Sequence, residues 1–405
     1  RTDLPARPVP YAPTMEPSQV TDALVGTTWV PPGLDPSGPW ALAGGRWHWG
    51  TPEVSDDPAV LDGTGTWVVC LPAQGPMVGA RFPHSAPAIS PPSPDAPPFP
   101  AADPSAAWVT SLGRRAHALR VADIRERIAD GDVYQVNLTR RLAGPVRQDH
   151  PGASALALPS RLARAHQAPR GATLCLPALG VWVVGASPER FLRREGDLVI
   201  SEPIKGTAAS ADLLTAKDRA ENVMICDLVR NDLGRVCRPG TVEVPDLLRV
   251  EAHPSLVHLV TTVIGRLRPD VSWGELLDAT FPPGSVTGAP KLAALKAIDQ
   301  LEPTGRGPYC GTLGWVDADA CEADLAVSIR TFWASSDAAT NATIDATRTW
   351  RWTFGTGGAI TWDSNAADEW AETELKAARL IELAQPPLTH SGHPLHRGDT
   401  APQTW

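Results

Sequence analysis

Ser201-Glu-Pro-Ile-Lys-Gly-Thr207 sets a lysine, Lys205, between a proline that stiffens the backbone and a glycine that lets a ligand come close. The short apolar run Asp197-Leu-Val-Ile200 before it reads as a strand. A lysine fixed just after a strand, among groups that lower its pKa, is a candidate nucleophile. An ordinary solvated surface lysine is the competing reading.

Working outward, the 405-residue chain is long enough for two or three domains or one large layered unit. Its 42% hydrophobic and 20% charged residues are the balance of a globular protein. The net charge of −9 argues against a nucleic-acid binder, which would carry a basic face. It leaves room for an anionic substrate, because a local pocket can oppose the global charge. No apolar run is long enough to span a bilayer, and the N-terminal residues do not read as a signal peptide. We therefore expect a cytoplasmic protein with no membrane partner. Cys70, Cys175, Cys226, Cys237, Cys310 and Cys321 form no Cys-x-x-Cys pair, so buried free thiols are expected.

Prolines crowd the stretch from Phe82 to Pro104, which reads as a linker or exposed loop. Before it lie short Trp-containing pieces such as Gly65-Thr-Trp-Val-Val-Cys-Leu71. After it, helix patterns run over Ala122 to Asp130, from an N-cap at Thr215, over Ser272 to Ala279, over Pro290 to Gln300 and over Asn365 to Leu383. Strand patterns cover 180–185, 259–264, 310–316, 324–330 and 349–354. The order is not a regular βα alternation. The expectation is an α+β fold, a large two-sheet sandwich with helices outside. Its parts are an N-terminal region over 1–105, a catalytic domain over 106–384 and a flexible tail over 385–405.

Two acidic pairs stand at helical spacing, Asp218 with Glu221 and Glu369 with Glu372. Together they could hold a hard divalent cation, or they are solvated helix faces. Phe281-Pro-Pro-Gly-Ser-Val-Thr-Gly-Ala-Pro-Lys291 leads into a helix, with Pro290 in a favoured first-turn position. It offers free N–H groups to an anion, and Gly355-Thr-Gly-Gly-Ala359 after a strand offers a second nest. Bare glycine turns are the alternative for both. Neither is a Walker A loop or a dinucleotide fingerprint. Arg330, ending a strand, could grip a carboxylate or make a structural ion pair. His258 lies in an apolar run, where a hydrogen-bonded core role competes with catalysis.

Ordered segments now add up. Gly131-Asp-Val-Tyr-Gln-Val-Asn-Leu138, Ser187-Pro-Glu-Arg-Phe191, Pro203-Ile-Lys-Gly-Thr207, Glu221 through Gly234, His258-Leu-Val260, Pro283 through Lys291, Tyr309-Cys-Gly311, Ile329-Arg330, Gly355 through Ala359 and Glu369 through Lys376 resemble the chorismate-utilising enzymes. They do so in the family's order, from Ala107 to Ala384. Within the family they are most similar to the aminodeoxychorismate synthase component I branch.

The resemblance implies a function. Anthranilate synthases look like Pro-Ile-Ala-Gly-Thr where this chain has Lys205; anthranilate synthase component I is the alternative reading. In the aminodeoxychorismate branch the lysine attacks C2 of chorismate as the C4 hydroxyl leaves. Ammonia then adds at C4 and the lysine departs, giving 4-amino-4-deoxychorismate, a precursor of 4-aminobenzoate and folate. Isochorismate and salicylate synthases place a water-activating lysine where Gln135 stands, and glutamine cannot deprotonate water.

The resemblance further implies Mg²⁺ held by Glu221 and Glu372, with Asp218 and Glu369 beside them. Arg330, Tyr309, Thr287, Lys376, Gln135 and the N–H groups of Gly357 and Gly358 would contact substrate, and His258 would stand near the departing hydroxyl. No glutaminase motif is found within the chain, so a separate glutamine amidotransferase subunit is expected to supply ammonia. A scaffold that merely holds such a subunit would have no need of Lys205 with four acidic positions. The Leu-Leu-Glu-Ser segment of tryptophan-regulated relatives has no match near 30–40, so no tryptophan feedback is expected.

Overall fold

Val181–Ser187 shows how the layers arise. Val183 faces an apolar cluster with Leu174 and Leu313, whereas Trp182 and Val184 face another with Trp40 and Phe332. Successive side chains of a strand point to opposite faces, so this sheet is covered on both sides.

The computed structural model describes residues 31–88, 108–145, 155–156, 158–159, 161–162, 168–208, 210–253, 256–336 and 350–384. Its first strands are β1 (Trp40–Ala43), β2 (Arg46–Trp49), β3 (Glu53–Ser55), β4 (Thr66–Leu71), β5 (Val78–Arg81), β6 (His84–Pro87) and β7 (Val109–Thr110). Next come β8 (Gln135–Pro145), β9 (Arg170–Leu176), β10 (Val181–Ser187), β11 (Arg190–Glu195), β12 (Leu198–Glu202), β13 (Ile204–Ala208) and β14 (Glu243–His253). The last are β15 (Leu256–Arg266), β16 (Gly288–Ala289), β17 (Thr312–Asp317), β18 (Glu322–Val327), β19 (Thr331–Ser336) and β20 (Trp350–Ile360). The helices described over their whole length are α1 (Arg114–Ala129), α2 (Ala216–Gly234), α3 (Trp273–Thr280), α4 (Lys291–Leu301) and α5 (Ala366–Ala384).

Among the described residues the strands form two ten-stranded sheets. One runs β16-β8-β20-β19-β10-β9-β1-β2-β6 with β7 beside β8, the other β13-β15-β12-β11-β18-β17-β4-β5-β3 with β14 beside β15. Every pairing among them is antiparallel. The main core lies between the sheets, and the buried face of α2 (Ile225, Cys226, Val229, Leu233) joins it. A second cluster covers the outer face of the first sheet under α5, and a third joins α1 and α4 to β8. This is the expected α+β two-sheet sandwich. Residues 40–87 supply strands to both sheets.

Local signals set the helix starts. Thr215 and Ser272 each close a capping box, with Asp218 and Glu275 at the third position. Several expectations need correction. The helix expected over Ala122 to Asp130 starts earlier, at Arg114, and its C-terminus falls as expected before Gly131. Pro290 is the N-cap of α4 rather than a first-turn residue. Cys321 is exposed, whereas the other five cysteines are buried. Gly355–Ala359 is not a nest after a strand but lies inside β20, paired with Arg141 through Asn137 of β8. The proline-rich segment lies largely, and the tail wholly, outside the described residues. No described helix is long and apolar enough to cross a membrane.

Candidate active site

Two crossovers between the sheets build one end of the site. The chain leaves the first sheet after Ser187, at the end of β10, and enters the second at Arg190, passing through Pro188 and Glu189. It returns between Val327 and Thr331. Val327 N–H donates to the Glu189 carbonyl at 3.0 Å, tying the crossovers together. Arg330 lies in the return crossover, not at a strand end as expected, and its φ of 51° is a left-handed conformation that costs a non-glycine residue energy. Its side chain makes no hydrogen bond or ion pair with described residues, and burial draws its pKa down. An unpaired, partly buried guanidinium is suited to a carboxylate.

Lys205 sits within β13, not after a strand. Ile204 pairs with Val260 and Thr207 with His258, so β13 carries one residue more than β15 between these pairs. That is a β-bulge at Lys205-Gly206, a device that re-aims a side chain. Gly206 takes φ 85°, and a Cβ there would stand 2.9 Å from the Asp218 Cβ. The bulge therefore needs glycine both for its backbone and for α2 to pack against it.

Lys205 Nζ donates to the Ser285 carbonyl at 2.9 Å. Burial lowers its pKa, Glu221 and Glu189 oppose that, and Lys376 adds to the lowering. His258 is buried, and its Nδ1 shares a 2.9 Å hydrogen bond with Thr207 Oγ1, two residues beyond Lys205.

The acidic residues come from two helices. Glu221 lies on α2, and Glu369 and Glu372 on α5. Lys217 Nζ spans the gap, 3.7 Å from Glu221 and 3.8 Å from Glu369. Lys376 pairs with Glu372 at 2.5 Å and donates to the Gly357 carbonyl at 3.0 Å. Burial raises the pKa of Glu221, and the Asp218 and Glu372 charges add to this. Glu369 is likewise raised by burial and by Glu372 and Glu221. Asp218 is committed elsewhere: its Oδ2 accepts from Thr215 N–H at 2.8 Å and Thr215 Oγ1 at 2.6 Å.

Among the described residues no three His, Cys, Asp or Glu side chains gather into a group that could hold a metal. A hard cation such as Mg²⁺ needs only one or two carboxylates besides water and substrate oxygens. Two observations fit it. Glu369 Oε2 is buried with no hydrogen-bond partner, while Oε1 accepts from Ser364 at 2.6 Å. A Cβ on Gly358 would come 3.1 Å from Glu369 Oε2 and 3.7 Å from Glu372 Oε1, so glycine keeps the space before both carboxylates open.

Gln135 is fully buried, and neither amide atom has a hydrogen-bond partner. Thr287 is buried, with its hydroxyl 3.2 Å from the Pro283 and Gly284 carbonyl oxygens. Tyr309 is buried with its ring against Gly355, where a Cβ would lie 2.0 Å from it. Ion pairs, a hydrogen bond and close approaches thus join Glu221, Glu369, Glu372, Lys376, Gly357 and Gly358. Lys205 feels the charges of Glu221, Glu372 and Lys376, His258 is tied to its strand through Thr207, and no contact links Arg330 to them.

Sequence reasoning missed three residues. Glu189, inside the Ser187–Phe191 segment, is buried, and desolvation raises its pKa against opposing effects of the Ser285 hydroxyl and Lys205. Its signal was present, but only as part of a motif. Lys217 shows no signal beyond its place four residues before Glu221. Arg306 is buried and donates to the Val286 carbonyl at 2.7 Å and the Asn137 carbonyl at 2.8 Å, with Glu302 as its counter-ion at 2.7 Å. It fixes the loop that carries Ser285 and Thr287 to the strand that carries Gln135.

Comparison with known proteins agrees with this architecture. The chorismate binding enzyme family matches residues 80–382. Aminodeoxychorismate synthase component 1 of Klebsiella aerogenes is 37% identical over 292 residues, 68% of this chain and 59% of that protein. Anthranilate synthase component 1 of Streptomyces coelicolor is 37% identical over 286 residues, 68% of this chain and 52% of that protein. The chain thus matches little more than half the length of these relatives. The solved menaquinone-specific isochorismate synthase of Escherichia coli shares the fold, with a TM-score of 0.67 at 17% identity over 90% of this chain and 91% of that one. The chain belongs to the chorismate binding enzyme family.

Proposed function

We propose that this protein aminates chorismate at C4 to give 4-amino-4-deoxychorismate, with Lys205 as the nucleophile. The observation that carries the reading is Lys205 on its glycine-dependent bulge, with burial lowering its pKa among carboxylates. A neutral amine is the reactive form, and desolvation favours it. Lys205 Nζ attacks C2, the ring double bond shifts, and the C4 hydroxyl leaves as water after taking a proton. Ammonia then adds at C4, the double bond shifts back and Lys205 is released.

His258, bonded to Thr207, and the buried Glu189 carry protons in this reading. Arg330 binds a substrate carboxylate, aided by Tyr309, Thr287, Lys376 and the edge of β20 at Gly357 and Gly358. The unpartnered Gln135 amide meets a polar substrate group and cannot act as a base for water. Glu221, Glu369 and Glu372 would hold Mg²⁺, with Asp218 supporting them from the helix cap. When bound, the ion neutralises and polarises the ring carboxylate as a Lewis acid.

Ammonia comes from a separate glutamine amidotransferase subunit, as the name "component 1" of a relative suggests. The product would serve 4-aminobenzoate and folate synthesis. Incubation with chorismate, Mg²⁺ and an ammonium salt tests the reading. It expects 4-amino-4-deoxychorismate, recognised by mass and by conversion with added aminodeoxychorismate lyase. Anthranilate synthase relatives of equal identity favour a second reading. Blue-fluorescent anthranilate formed without a lyase would establish that one instead.

A further inference from the structure

Behind Lys205 the protein is hollow. A small cavity lies between α2, β11, β12 and the loop through Ser285, lined by Glu189, Ser201, Asp232 and Ser285 with Val229 and Val327. The cavity measures about 20 Å³, room for one or two water-sized molecules and far too little for chorismate. Ser285 forms the partition. Its carbonyl accepts from Lys205, while its Oγ, in a residue only 5% exposed, is buried beside the Glu189 carboxyl. Glu189 also lines the cavity and is electrostatically coupled to Lys205.

The lining selects the occupant. An apolar guest would offer nothing to the polar groups of Glu189, Ser201, Asp232 and Ser285 that line the cavity. An anion would face the Glu189 and Asp232 carboxyls. The cations at the cavity are already engaged: Arg190 pairs with Glu202 and Asp324, and Lys291 pairs with Asp232 at 2.6 Å. A small hydrogen-bond donor, neutral or cationic, fits. Water and ammonia are of this class, and amination requires the second.

We propose that this cavity is the ammonia subsite, where ammonia or ammonium waits behind the Glu189–Ser285 partition before reaching the substrate. The proposal rests on the amination reading above. Its test fills the cavity by one methylene, in Val229→Ile and separately in Val327→Ile, and follows steady-state kinetics with chorismate, Mg²⁺ and ammonium chloride. Either variant that keeps the wild-type melting temperature should raise KM for ammonium by about tenfold and leave KM for chorismate unchanged. An unchanged KM for ammonium in both folded variants would mean that the cavity holds water only, and overturns the proposal. A wild-type protein that forms no aminated product overturns the amination reading and the subsite together, which the unmutated control reveals by itself.

Discussion

Lys205 Nζ and the Ser285 carbonyl oxygen stand 2.9 Å apart, across 80 residues of sequence. The bond joins a bulged strand of one sheet to the glycine-rich loop before α4. It orients the amine without a carboxylate partner at hydrogen-bond distance, which would hold the lysine in its charged form.

The bulge itself is testable. Gly206→Ala places a Cβ on a φ of 85° and 2.9 Å from Asp218 Cβ. Lys205 is displaced, and kcat for amination should drop by about a hundredfold while KM for chorismate changes little. Steady-state kinetics at saturating ammonium measure this. A normal kcat in the folded variant would show that the bulge does not set the lysine.

The space before the carboxylates is the second target. Gly358→Ala pushes a methyl group toward Glu369 Oε2 and Glu372 Oε1. Mg²⁺ should bind about tenfold more weakly by calorimetric titration, with the melting temperature nearly unchanged. Glu372→Gln should weaken Mg²⁺ binding and activity together. Identical titrations would place the ion elsewhere.

Arg306 is buried with Glu302 and holds two carbonyl oxygens. Arg306→Met leaves a buried carboxylate without its counter-ion, which costs about 3–5 kcal/mol of stability. Adding Glu302→Gln should recover part of the loss. Denaturant unfolding reports both, and a loss below about 1 kcal/mol would mean the clamp is slack.

His48 gives a pH dependence. Burial, aided by Arg46 and opposed by the hydrogen bond to the Ala43 backbone, lowers its pKa from 6.5 to about 4. The folded protein keeps the imidazole neutral, whereas the unfolded chain takes up a proton as pH falls through 6.5. This contribution is complete above pH 6.5 and is lost progressively down to about 4. Between pH 7.5 and 5 the wild type should therefore lose about 2 kcal/mol more than His48→Gln. Equal losses would contradict a neutral buried imidazole.

Much of this was legible in the sequence because the signals are local. Thr215 and Ser272 cap their helices through the third residue, and Glu369 and Glu372 share a face by helical spacing. The order of the motifs then identified the sandwich. What was illegible depends on distant partners. The bulge at Lys205 exists only against the register of β15. Gly355 and Gly358 read as an N–H nest or a bare turn after a strand because glycine is poor in strands; the structure keeps them in β20 because the Tyr309 ring and the Glu369 carboxylate occupy the space of their missing side chains. Glu189 becomes a candidate only when the crossover buries it beside Lys205.

The most direct measurement is mass spectrometry of the wild-type protein incubated with chorismate and Mg²⁺ in the absence of ammonia, followed by peptide mapping. The account predicts an adduct of chorismate less one water on Lys205, absent from Lys205→Ala, which should also lose amination by a factor of about a hundred or more. An unmodified Lys205 together with near-normal amination by Lys205→Ala would contradict it.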